Sequence, residues 1–375
     1  MKNTQSLTAV GLMSGTSADG IDAALVTVTR DPRNVALAHF ATYPFSESLR
    51  RRVLAAAAGN ADPAALCALD AALGKAFGEA VTRLLTEVGA GTGVDVVASH
   101  GQTVWHAPGA DPGASLQLGS PAHLAAVCGL PVVADFRNPD LAQGGQGAPL
   151  TPLFHHVLFA HPSVDRAVVN LGGIANVSLL PAGAGPEAAT ALDTGPANMV
   201  IDGLVAHLSG GAERMDRDGA RGAAGTVHEG LLGELLKHPY FALPGPKSTG
   251  REMFGNPYLE SLLRRATALG LGNNDLIATA TALTARTVAD RVAGAEVLLC
   301  GGGARNRTLV GMLRDALPGA RVETAQDHGL DGDAIEAMAF AELGCRHLWR
   351  EPGNLPRVTG ARRAVVLGSF TPAPC

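Results

Sequence analysis

Short apolar runs bounded by glycine recur along the chain and predict β-strands. The runs are rich in valine, alanine and leucine, which is typical of strands buried in a sheet. They lie at residues 8–12, 23–28, 94–98, 130–134, 167–171, 175–180 and 297–300. Two longer segments, 63–89 and 274–292, have the apolar spacing of helices. Because strands and helices alternate, we predict an α/β fold.

Two stretches repeat one pattern of strand, glycine turn and strand. The first is TAVGLMSGTSADGIDAALVTV at 8–28, and the second is RAVVNLGGIANVSLL at 166–180. Each predicts a hairpin whose glycines supply the positive φ that a tight turn needs. The repetition indicates two related lobes, each of which opens with a hairpin.

Chain length also favours two lobes. Single hydrophobic cores tend to stop growing near ~250–300 residues, whereas this chain has 375. We therefore expect two lobes with a cleft between them. We assign residues 1–138 and 355–375 to the N-terminal lobe and residues 139–354 to the C-terminal lobe.

Net charge, cysteine spacing and hydropathy indicate which partners and which cellular compartment suit the chain. The net charge is -5 and no stripe of lysine and arginine occurs, which argues against nucleic acid as the partner. The five scattered cysteines form no CxxC pair, so a reducing cytoplasm fits better than a disulfide framework. Neither a signal peptide nor a membrane-spanning apolar run is visible. We expect a soluble, cytoplasmic protein that binds a small molecule and no membrane.

The stretch GLMSGTSADGID at 11–22 combines glycines, hydroxyl groups and carboxylates. Successive backbone N–H groups in a tight turn form an anion-binding concavity, to which hydroxyls add donors. The candidate phosphate-binding residues are Ser14, Gly15, Thr16, Ser17, Asp19, Gly20 and Asp22. Asp19 and Asp22 are also candidate ligands for Mg²⁺, which prefers one or two carboxylates beside substrate phosphates. A hairpin decorated with turn-forming residues explains the stretch equally well.

The stretch ALDTGPANMVID at 191–202 offers a candidate base. Asp193 follows an apolar run and precedes a turn that can bind phosphate, so its carboxylate is placed to take a proton from a nucleophile. The alternative is a structural role, in which Asp193 or Thr194 caps the following helix. Both interpretations are compatible with the sequence.

Glycine clusters provide further candidates for cofactor contact. They are Gly172 and Gly173 in the second hairpin, and Gly301, Gly302 and Gly303 with Asn306 in the stretch CGGGARN. Three successive glycines allow close approach of a flat group such as adenosine, or else a tight strand–helix packing turn. The common nucleotide motifs do not fit: Pro246 replaces a glycine of the P-loop pattern in PGPKSTG, and no GxGxxG joins a strand to a helix.

Polar clusters in the middle of the chain predict the substrate face. His100 and Gln102 lie in SHGQTVWH, where His100 and His106 are six apart and share no helical face, so hydrogen bonding is favoured over metal binding. Arg137 can grip a carboxylate with two hydrogen bonds. Asp135 and Asp140 either contact sugar hydroxyls or balance that charge.

Eight motifs occur in the order seen in anhydro-N-acetylmuramic acid kinases. They are GLMSGTSADGID, SHGQTVWH, ADFRNPDLAQGGQGAPLTP, VNLGGIANVS, LDTGPANMVID, PKSTGREMF, CGGGARN and GNLPRVTGARRAVVLG. From about residue 8 to residue 369 the chain resembles this family. The resemblance implies the two-lobed actin/hexokinase-like fold, with duplicated ribonuclease H-like sheets and ATP in the interdomain cleft.

The resemblance also implies roles for individual residues. ATP and Mg²⁺ would be held by the turn at 15–22, the adenosine end would face 301–303 and Asn306, and Asp193 would be the catalytic base. Water would open the 1,6-anhydro bridge of the sugar while O6 receives the γ-phosphate. Arg137 is the candidate for the lactyl carboxylate of the sugar. Glu336 is a further substrate candidate, although a helix-surface glutamate explains it as well. A homodimer is the implied assembly.

The sequence departs from the family motifs at two positions. Ala18 replaces the leucine of MSGTSLDG, and we expect it to face away from the phosphate and change packing only. Ala197 replaces the second glycine of DTGPGN, which strains the loop only if that position needs a positive φ.

Two other functions share the two-lobed fold. A kinase for an ordinary hexose would use the same ATP site, and product masses from anhydro-sugar and glucose separate the two activities. A nucleotide-switched protein of the actin or chaperone kind would need an additional polymer-forming or peptide-binding element. The chain provides no obvious segment for such an element, and filament formation or peptide-stimulated ATPase activity would reveal one.

Overall fold

The computed structural model describes residues 5–89, 93–245 and 247–374, so Pro246 lies outside the described residues. The chain divides into two compact units, 1–158 with 333–375 and 159–332. Each unit contains one β-sheet flanked by helices. The prediction of an α/β protein with two sheets is therefore confirmed.

Strands account for the first part of the architecture. They are β1 (Ser6–Ser14), β2 (Gly20–Thr29), β3 (Asn34–Pro44), β4 (Val96–Ala107), β5 (Ala114–Leu118), β6 (Val132–Ala134), β7 (Arg166–Leu171), β8 (Ile174–Leu180), β9 (Thr190–Pro196), β10 (Glu296–Cys300), β11 (Val322–Thr324) and β12 (Ser369–Thr371). All seven predicted strands are confirmed. The prediction missed β3, in which only Val35 and Tyr43 are buried.

Helices follow the strands along the chain. They are α1 (Glu47–Ala57), α2 (Pro63–Val88), α3 (Pro121–Cys128), α4 (Asn138–Leu141), α5 (Pro152–Phe159), α6 (Asn198–Leu208), α7 (Ala220–Ala223), α8 (Glu229–Leu235), α9 (Pro239–Ala242), α10 (Arg251–Phe254), α11 (Asn256–Leu269), α12 (Asn273–Val292), α13 (Arg307–Ala316), α14 (Ala334–Trp349) and α15 (Pro356–Thr359). Short 3₁₀ turns lie at Pro186–Ala188, Arg217–Gly219, Gly302–Arg305 and Ala325–His328. The two predicted helices correspond to α2 and α12.

The two sheets share one topology. In the first unit the order is β12-β6-β4-β1-β2-β3, with β5 paired to β4. In the second unit the order is β11-β10-β7-β8-β9. In both, an antiparallel meander of three strands is followed by two strands that run parallel to the first strand of the meander. This repetition confirms the duplication that the paired hairpins predicted.

Helix α14 lies against the first sheet at close range. Small residues permit the approach: a Cβ at Gly11 on β1 would overlap the backbone of Ala337, and a Cβ at Gly344 would meet Ala98 Cβ at 2.6 Å. The opposite face of the sheet is covered by α1, α2 and α3, whose apolar residues form the core of this unit. The close packing of α14 carries Glu336 to the first sheet.

Helix α12 occupies the centre of the second unit. Most of its residues are buried, including threonines that a surface helix would expose. Their hydroxyls are satisfied by backbone oxygens, as when Thr284 Oγ1 donates to Pro196 O at 2.9 Å. This bond fixes the end of β9, the strand that carries Asp193.

The unit boundaries differ from the predicted lobe boundaries at 138/139 and 354/355. Both predicted boundaries lie inside the first unit. The physical reason is a buried carboxylate: Asp140 accepts hydrogen bonds from Asn354 Nδ2 at 2.6 Å and from Thr359 Oγ1 at 2.7 Å. These bonds tie the segment after β6 to the C-terminal segment. Asp140 is fully buried and therefore structural rather than sugar-binding.

Candidate active site

The turn between β1 and β2 is closed by one backbone hydrogen bond, from Ala18 N to Gly15 O at 3.1 Å. Thr16 and Ser17 at its tip are exposed, so their hydroxyls and N–H groups are free to face an anion. The prediction that glycine supplies the positive φ of this turn is wrong, because Ala18 has φ 53°. Gly20 instead permits close packing, since a Cβ there would meet Tyr43 O at 2.5 Å.

Ser14 and Gln102 brace this turn from below. Ser14 is buried, and its Oγ lies 2.7 Å from both Gly20 O and Gln102 Oε1. Gln102 Nε2 donates to Gly15 O at 3.1 Å. These contacts occupy the two side chains, so the structure places them beneath the turn. They support the turn there, and their predicted contacts with phosphate and sugar stay predictions.

The two aspartates of the turn have different environments. The Asp19 side chain is 71% exposed, with Oδ1 3.4 Å from Arg50 Nε. Asp22 is half-buried, and its Oδ1 accepts from Thr42 Oγ1 at 2.6 Å. Arg50 also donates to Ser17 O at 3.4 Å, which places a cation beside the turn. Sequence reasoning missed Arg50, because nothing in the run SLRRR separates this arginine from its neighbours.

Glu336 interacts electrostatically with two charged groups of the first unit, Asp22 and Arg137. Burial and the charge of Asp22 raise the pKa of Glu336, while Arg137 lowers it. Burial lowers the pKa of Arg137 to about 10, so the guanidinium stays protonated at neutral pH. The structure thus brings the predicted residues Asp22, Arg137 and Glu336 into one charged cluster. Glu336 is half-buried on α14, which argues against the simple helix-surface interpretation.

His100 and Arg137 form a defined pair. Arg137 Nε donates to His100 Nε2 at 2.9 Å, and His100 Nδ1 lies 2.8 Å from Gly101 O. Because the guanidinium can only donate, His100 is neutral with its proton on Nδ1. Burial and the charge of Arg137 hold the pKa of His100 well below its usual value, in agreement with that assignment. The histidine therefore orients Arg137, whose NH1 also donates to Gly147 O at 2.9 Å.

Other polar residues of the middle segment take part in local hydrogen bonds. Asp135 has φ 62° and accepts from Asn138 Nδ2 at 2.6 Å, and burial raises the pKa of its carboxyl. His106 Nδ1 lies 3.0 Å from Ser115 Oγ, as the hydrogen-bonding interpretation predicted. Within the described ranges, no group of three or more histidine, cysteine or acidic side chains is arranged to hold a metal ion.

Asp193 lies on β9 in the second unit, and its carboxyl is held in place from one side. Thr249 N donates to its Oδ2 at 2.9 Å. Burial and the charge of Glu252 raise the pKa of Asp193 from 3.8 to about 6, against the opposing effect of the Thr249 N–H and Lys247. The carboxyl is thus ionised at neutral pH yet basic enough to accept a proton. The capping interpretation is wrong, because α6 begins after Ala197 with no side-chain cap.

The segment KSTGRE at 247–252 folds back onto Asp193. Asp193 N donates to Lys247 O at 2.9 Å, and Tyr240 Oη donates to Asp193 O at 2.8 Å. Burial lowers the pKa of Lys247 to about 8, and its Nζ donates to Tyr240 O at 2.7 Å. Thr249 Oγ1 is buried without a hydrogen-bond partner in the described part of the chain. The sequence drew attention to this motif but assigned no role to Lys247 or Thr249.

The three glycines after β10 differ in what they permit. Gly301 has φ 75°, and a Cβ at Gly303 would meet Leu171 Cβ at 2.7 Å, so both serve close packing. At Gly302 the nearest described atom would be Asn198 Nδ2 at 3.9 Å, which leaves room for a ligand. Packing therefore accounts for Gly301 and Gly303, and the approach of a flat group stays a prediction for Gly302. Asn306 Oδ1 caps α13 by accepting from Leu309 N at 2.9 Å.

The second hairpin turn supports the start of α6. Asn198 N donates to Gly172 O at 3.1 Å, and Ala197 N donates to Gly173 O at 3.0 Å. Ala197 has φ -132°, so the alanine that replaces glycine requires no left-handed conformation. Ala18, the other departure from the family motif, is fully buried in the core of its unit and points away from a phosphate at the turn tip.

A cavity of the second unit lies away from these residues. It measures about 310 Å³ and is lined by α8, α12 and α13, including Glu229, Arg286 and Asp315. None of the predicted site residues lines it. Across the described ranges, no helix is both long enough and apolar enough to span a bilayer.

Comparison with known proteins gives one consistent result. The chain is similar to proteins named anhydro-N-acetylmuramic acid kinase from three bacteria. It is 40% identical to that of Caldanaerobacter subterraneus subsp. tengcongensis, with 98% of both chains covered. The value is 43% for Shewanella halifaxensis, with 97% of this chain and 98% of the relative covered. It is 44% for Salinibacter ruber, with 97% and 96% covered.

A solved structure of a ROK family glucokinase from Streptomyces griseus in complex with glucose and AMPPNP is a remote likeness. It is 13% identical, with a TM-score of 0.38, 90% of this chain and 99% of that chain covered. The family model described as anhydro-N-acetylmuramic acid kinase matches residues 7–373. The chain therefore belongs to the anhydro-N-acetylmuramic acid kinase family.

Proposed function

We propose that this protein is an ATP-dependent kinase that opens the 1,6-anhydro ring of 1,6-anhydro-N-acetylmuramic acid with water and phosphorylates O6. The products are N-acetylmuramic acid 6-phosphate and ADP, a reaction that returns cell-wall sugar to metabolism. The observation that carries the proposal is the environment of the Asp193 carboxyl. Its carboxyl is partly buried, is fixed by the Thr249 N–H at 2.9 Å and has a pKa raised to about 6.

The chemistry needs only one base. Asp193 removes a proton from a water molecule whose oxygen attacks the anomeric carbon of the sugar. The bond from that carbon to O6 breaks, and O6 bonds to the γ-phosphorus of ATP as the bond to ADP breaks. The leaving group of ring opening is thus the acceptor of the phosphoryl group. Negative charge that develops on O6 is neutralised when O6 bonds to the γ-phosphorus. No separate general acid is required, in contrast to a glycosidase.

The first unit would bind the phosphates and the acidic part of the sugar. The exposed N–H and hydroxyl groups of Thr16 and Ser17 support phosphate binding at the turn between β1 and β2. Arg50, beside that turn, adds positive charge. Arg137 is oriented by His100 and would hold the lactyl carboxylate of the sugar. Glu336 would contact the sugar from α14.

The donor groups near the turn fit Mg²⁺ better at Asp22 than at Asp19. Asp22 is half-buried, and its charge raises the pKa of Glu336, so a divalent cation there would offset unfavourable negative charge. Asp19 is mostly exposed and faces Arg50. Mg²⁺ bound beside Asp22 would neutralise charge on the β- and γ-phosphates.

In the second unit, the adenosine end of ATP would lie against the backbone at Gly302, where no side chain fills the space. Gly301, Gly303 and Asn306 would shape that surface through packing and helix capping. A cytoplasmic location, Mg²⁺ dependence and a homodimer are further parts of the proposal and rest on the family resemblance.

Product analysis separates the possible activities. The protein is incubated with ATP and Mg²⁺, and with either 1,6-anhydro-N-acetylmuramic acid or glucose, and the sugar products are identified by mass spectrometry. We expect phosphorylation of the anhydro-sugar with uptake of one water. Phosphorylation of glucose alone would support an ordinary hexose kinase, and ATP-dependent filaments without sugar product would support a nucleotide-switched protein.

A further inference from the structure

The first unit contains a polar cavity of about 160 Å³ beside the His100–Arg137 pair. It lies where β4 meets β5 and where β6 ends, and α2 closes it from one side. Its lining includes Asp70, Ser99, His100, Gln117 and Asp135. Two of these residues, His100 and Asp135, were predicted from sequence as substrate contacts. The cavity itself was not.

Two buried polar atoms in the cavity wall have no protein partner. Ser99 Oγ and Gln117 Oε1 are both buried, and neither forms a hydrogen bond within the described part of the chain. Ser99 is 1% exposed. Because an unsatisfied buried polar atom costs free energy, such atoms are usually satisfied by a ligand or by ordered water. Two in one cavity indicate a polar occupant.

The Gln117 amide nitrogen has hydroxyl partners on both β4 and β5. Gln117 Nε2 donates to Ser115 Oγ at 2.7 Å, and that hydroxyl also lies 3.2 Å from Trp105 O and 3.0 Å from His106 Nδ1. Gln117 Nε2 also donates to Thr103 Oγ1 at 3.2 Å. The amide nitrogen is therefore occupied. The oxygen is the atom available for an occupant that donates a hydrogen bond.

The charge of the cavity excludes an anionic occupant. Asp70 and Asp135 each use one described oxygen for a protein hydrogen bond, to Gly119 N at 2.8 Å and Asn138 Nδ2 at 2.6 Å respectively. Among the described residues, the lining includes no lysine or arginine. Carboxylates and an amide oxygen favour neutral hydrogen-bond donors such as sugar hydroxyls, and they repel a carboxylate.

His100 connects this cavity with Arg137. The imidazole lines the cavity, and its Nε2 accepts from Arg137 Nε at 2.9 Å. On the basis of the proposed function, we infer that the cavity binds the neutral, hydroxyl-bearing side of the sugar while Arg137 holds its lactyl carboxylate. The two sites divide the substrate by charge. This division sets the orientation of the anhydro bridge and makes Gln117 and Ser99 specificity-determining residues.

The test measures the KM of the Gln117→Leu variant for two sugars. The substitution removes the amide oxygen at similar side-chain volume. The sugars are 1,6-anhydro-N-acetylmuramic acid and 1,6-anhydro-N-acetylglucosamine, which lacks the lactyl group. We expect the KM for both sugars to rise by about tenfold, the effect of ~1.4 kcal/mol, with the KM for ATP unchanged. Ser99→Ala, a smaller change, should act in the same direction. Gln326→Leu, an exposed glutamine of the second unit, is the matched control and should behave as wild type.

Three results would overturn the inference. One is a KM for both sugars within twofold of wild type in Gln117→Leu and Ser99→Ala, which would mean that the cavity holds water only. Another is a rise confined to the sugar with the lactyl group, which would place the carboxylate in the cavity. The third is an equal rise in the KM for ATP. The proposed function fails separately, if the wild-type protein converts neither sugar.

Discussion

Replacement of Asp193 by asparagine should abolish turnover and stabilise the protein at the same time. Asparagine keeps the shape of the side chain, and its Oδ1 can still accept the hydrogen bond from Thr249 N. It cannot accept a proton from water. Since a positioned base contributes about 10²–10⁴-fold to rate, we expect kcat to fall by at least that factor. The KM for ATP should change little.

The stability gain follows from the raised pKa. Burial is the largest cause that raises the pKa of Asp193 from 3.8 to about 6. A difference of that size corresponds to about 3 kcal/mol at ~1.4 kcal/mol for each tenfold factor. Partial solvent exposure reduces the effective cost of the charge to about 1–2 kcal/mol. Asparagine removes this cost because it carries no charge.

The size of the stability gain depends on pH. The folded-state pKa lies above the unfolded-state value, so the folded protein binds more protons between pH 3.8 and about 6. Charged Asp193 therefore lowers the free energy of unfolding fully above pH 6 and not at all below pH 3.8. Asp193→Asn should exceed wild type in stability at pH 8, and the two should converge near pH 4.

Urea unfolding at pH 8 and pH 4.5 tests the predicted gain in stability. Product mass analysis tests the predicted loss of turnover. Asp202→Asn is the matched control, because burial and the charge of Asp216 raise the pKa of Asp202 to about 6, against the effect of the Asp216 N–H. Asp202 has no predicted role in the chemistry. We expect the control to gain stability at pH 8 and to keep its turnover. Near-normal turnover in Asp193→Asn would refute the base assignment. Lower stability than wild type at pH 8 would refute the electrostatic reasoning.

Three further predictions concern neighbouring residues. Thr249→Val removes the buried unpartnered hydroxyl, so it should raise the free energy of unfolding by about 1 kcal/mol and lower kcat. Thr249→Ser keeps the hydroxyl and should retain activity. Higher stability of Thr249→Val with unchanged kcat would show that the hydroxyl has no role in turnover. Gly303→Ala should destabilise the second unit through overlap with Leu171, but Gly302→Ala should mainly raise the KM for ATP, so calorimetric unfolding and ATP kinetics distinguish them. Gln102→Leu removes the hydrogen bond that supports the turn at Gly15. It should raise the KM for ATP by about tenfold and leave the pH profile of the reaction unchanged. An effect on the KM for the sugar alone would contradict the supporting role.

The periodicity of apolar residues was sufficient to predict the architecture because it reports which faces are buried. The strands at 8–12 and 167–171 are mostly apolar, and both are inner strands of their sheets. Strand β3 escaped prediction because it is an edge strand with few buried positions. The lobe boundaries depend on the buried hydrogen bonds of Asp140, which join residues more than 200 positions apart and leave no local pattern.

In the candidate site, too, some features follow from a local sequence pattern and others depend on contacts between distant residues. Asp193 and the turn tip were identified from residue type beside a glycine turn, which is a local property. The buried positions of Ser14 and Gln102 depend on how β1 and β4 pair, so the sequence did not distinguish a ligand from a support. Gln117 had no motif of its own, and the motif that contains Thr249 gave that residue no role. Their importance arises from unpartnered atoms, which only a three-dimensional arrangement can reveal.

The coupling of ring opening to phosphoryl transfer is the central claim, and isotope labelling tests it most directly. The reaction is run with 1,6-anhydro-N-acetylmuramic acid and ATP in ¹⁸O-labelled water, and the fresh sugar product is fragmented by mass spectrometry. The account predicts one labelled oxygen in the sugar fragment at the anomeric position and unlabelled oxygen in the phosphate group. A phosphorylated sugar without added water, or label in the phosphate group, would contradict it.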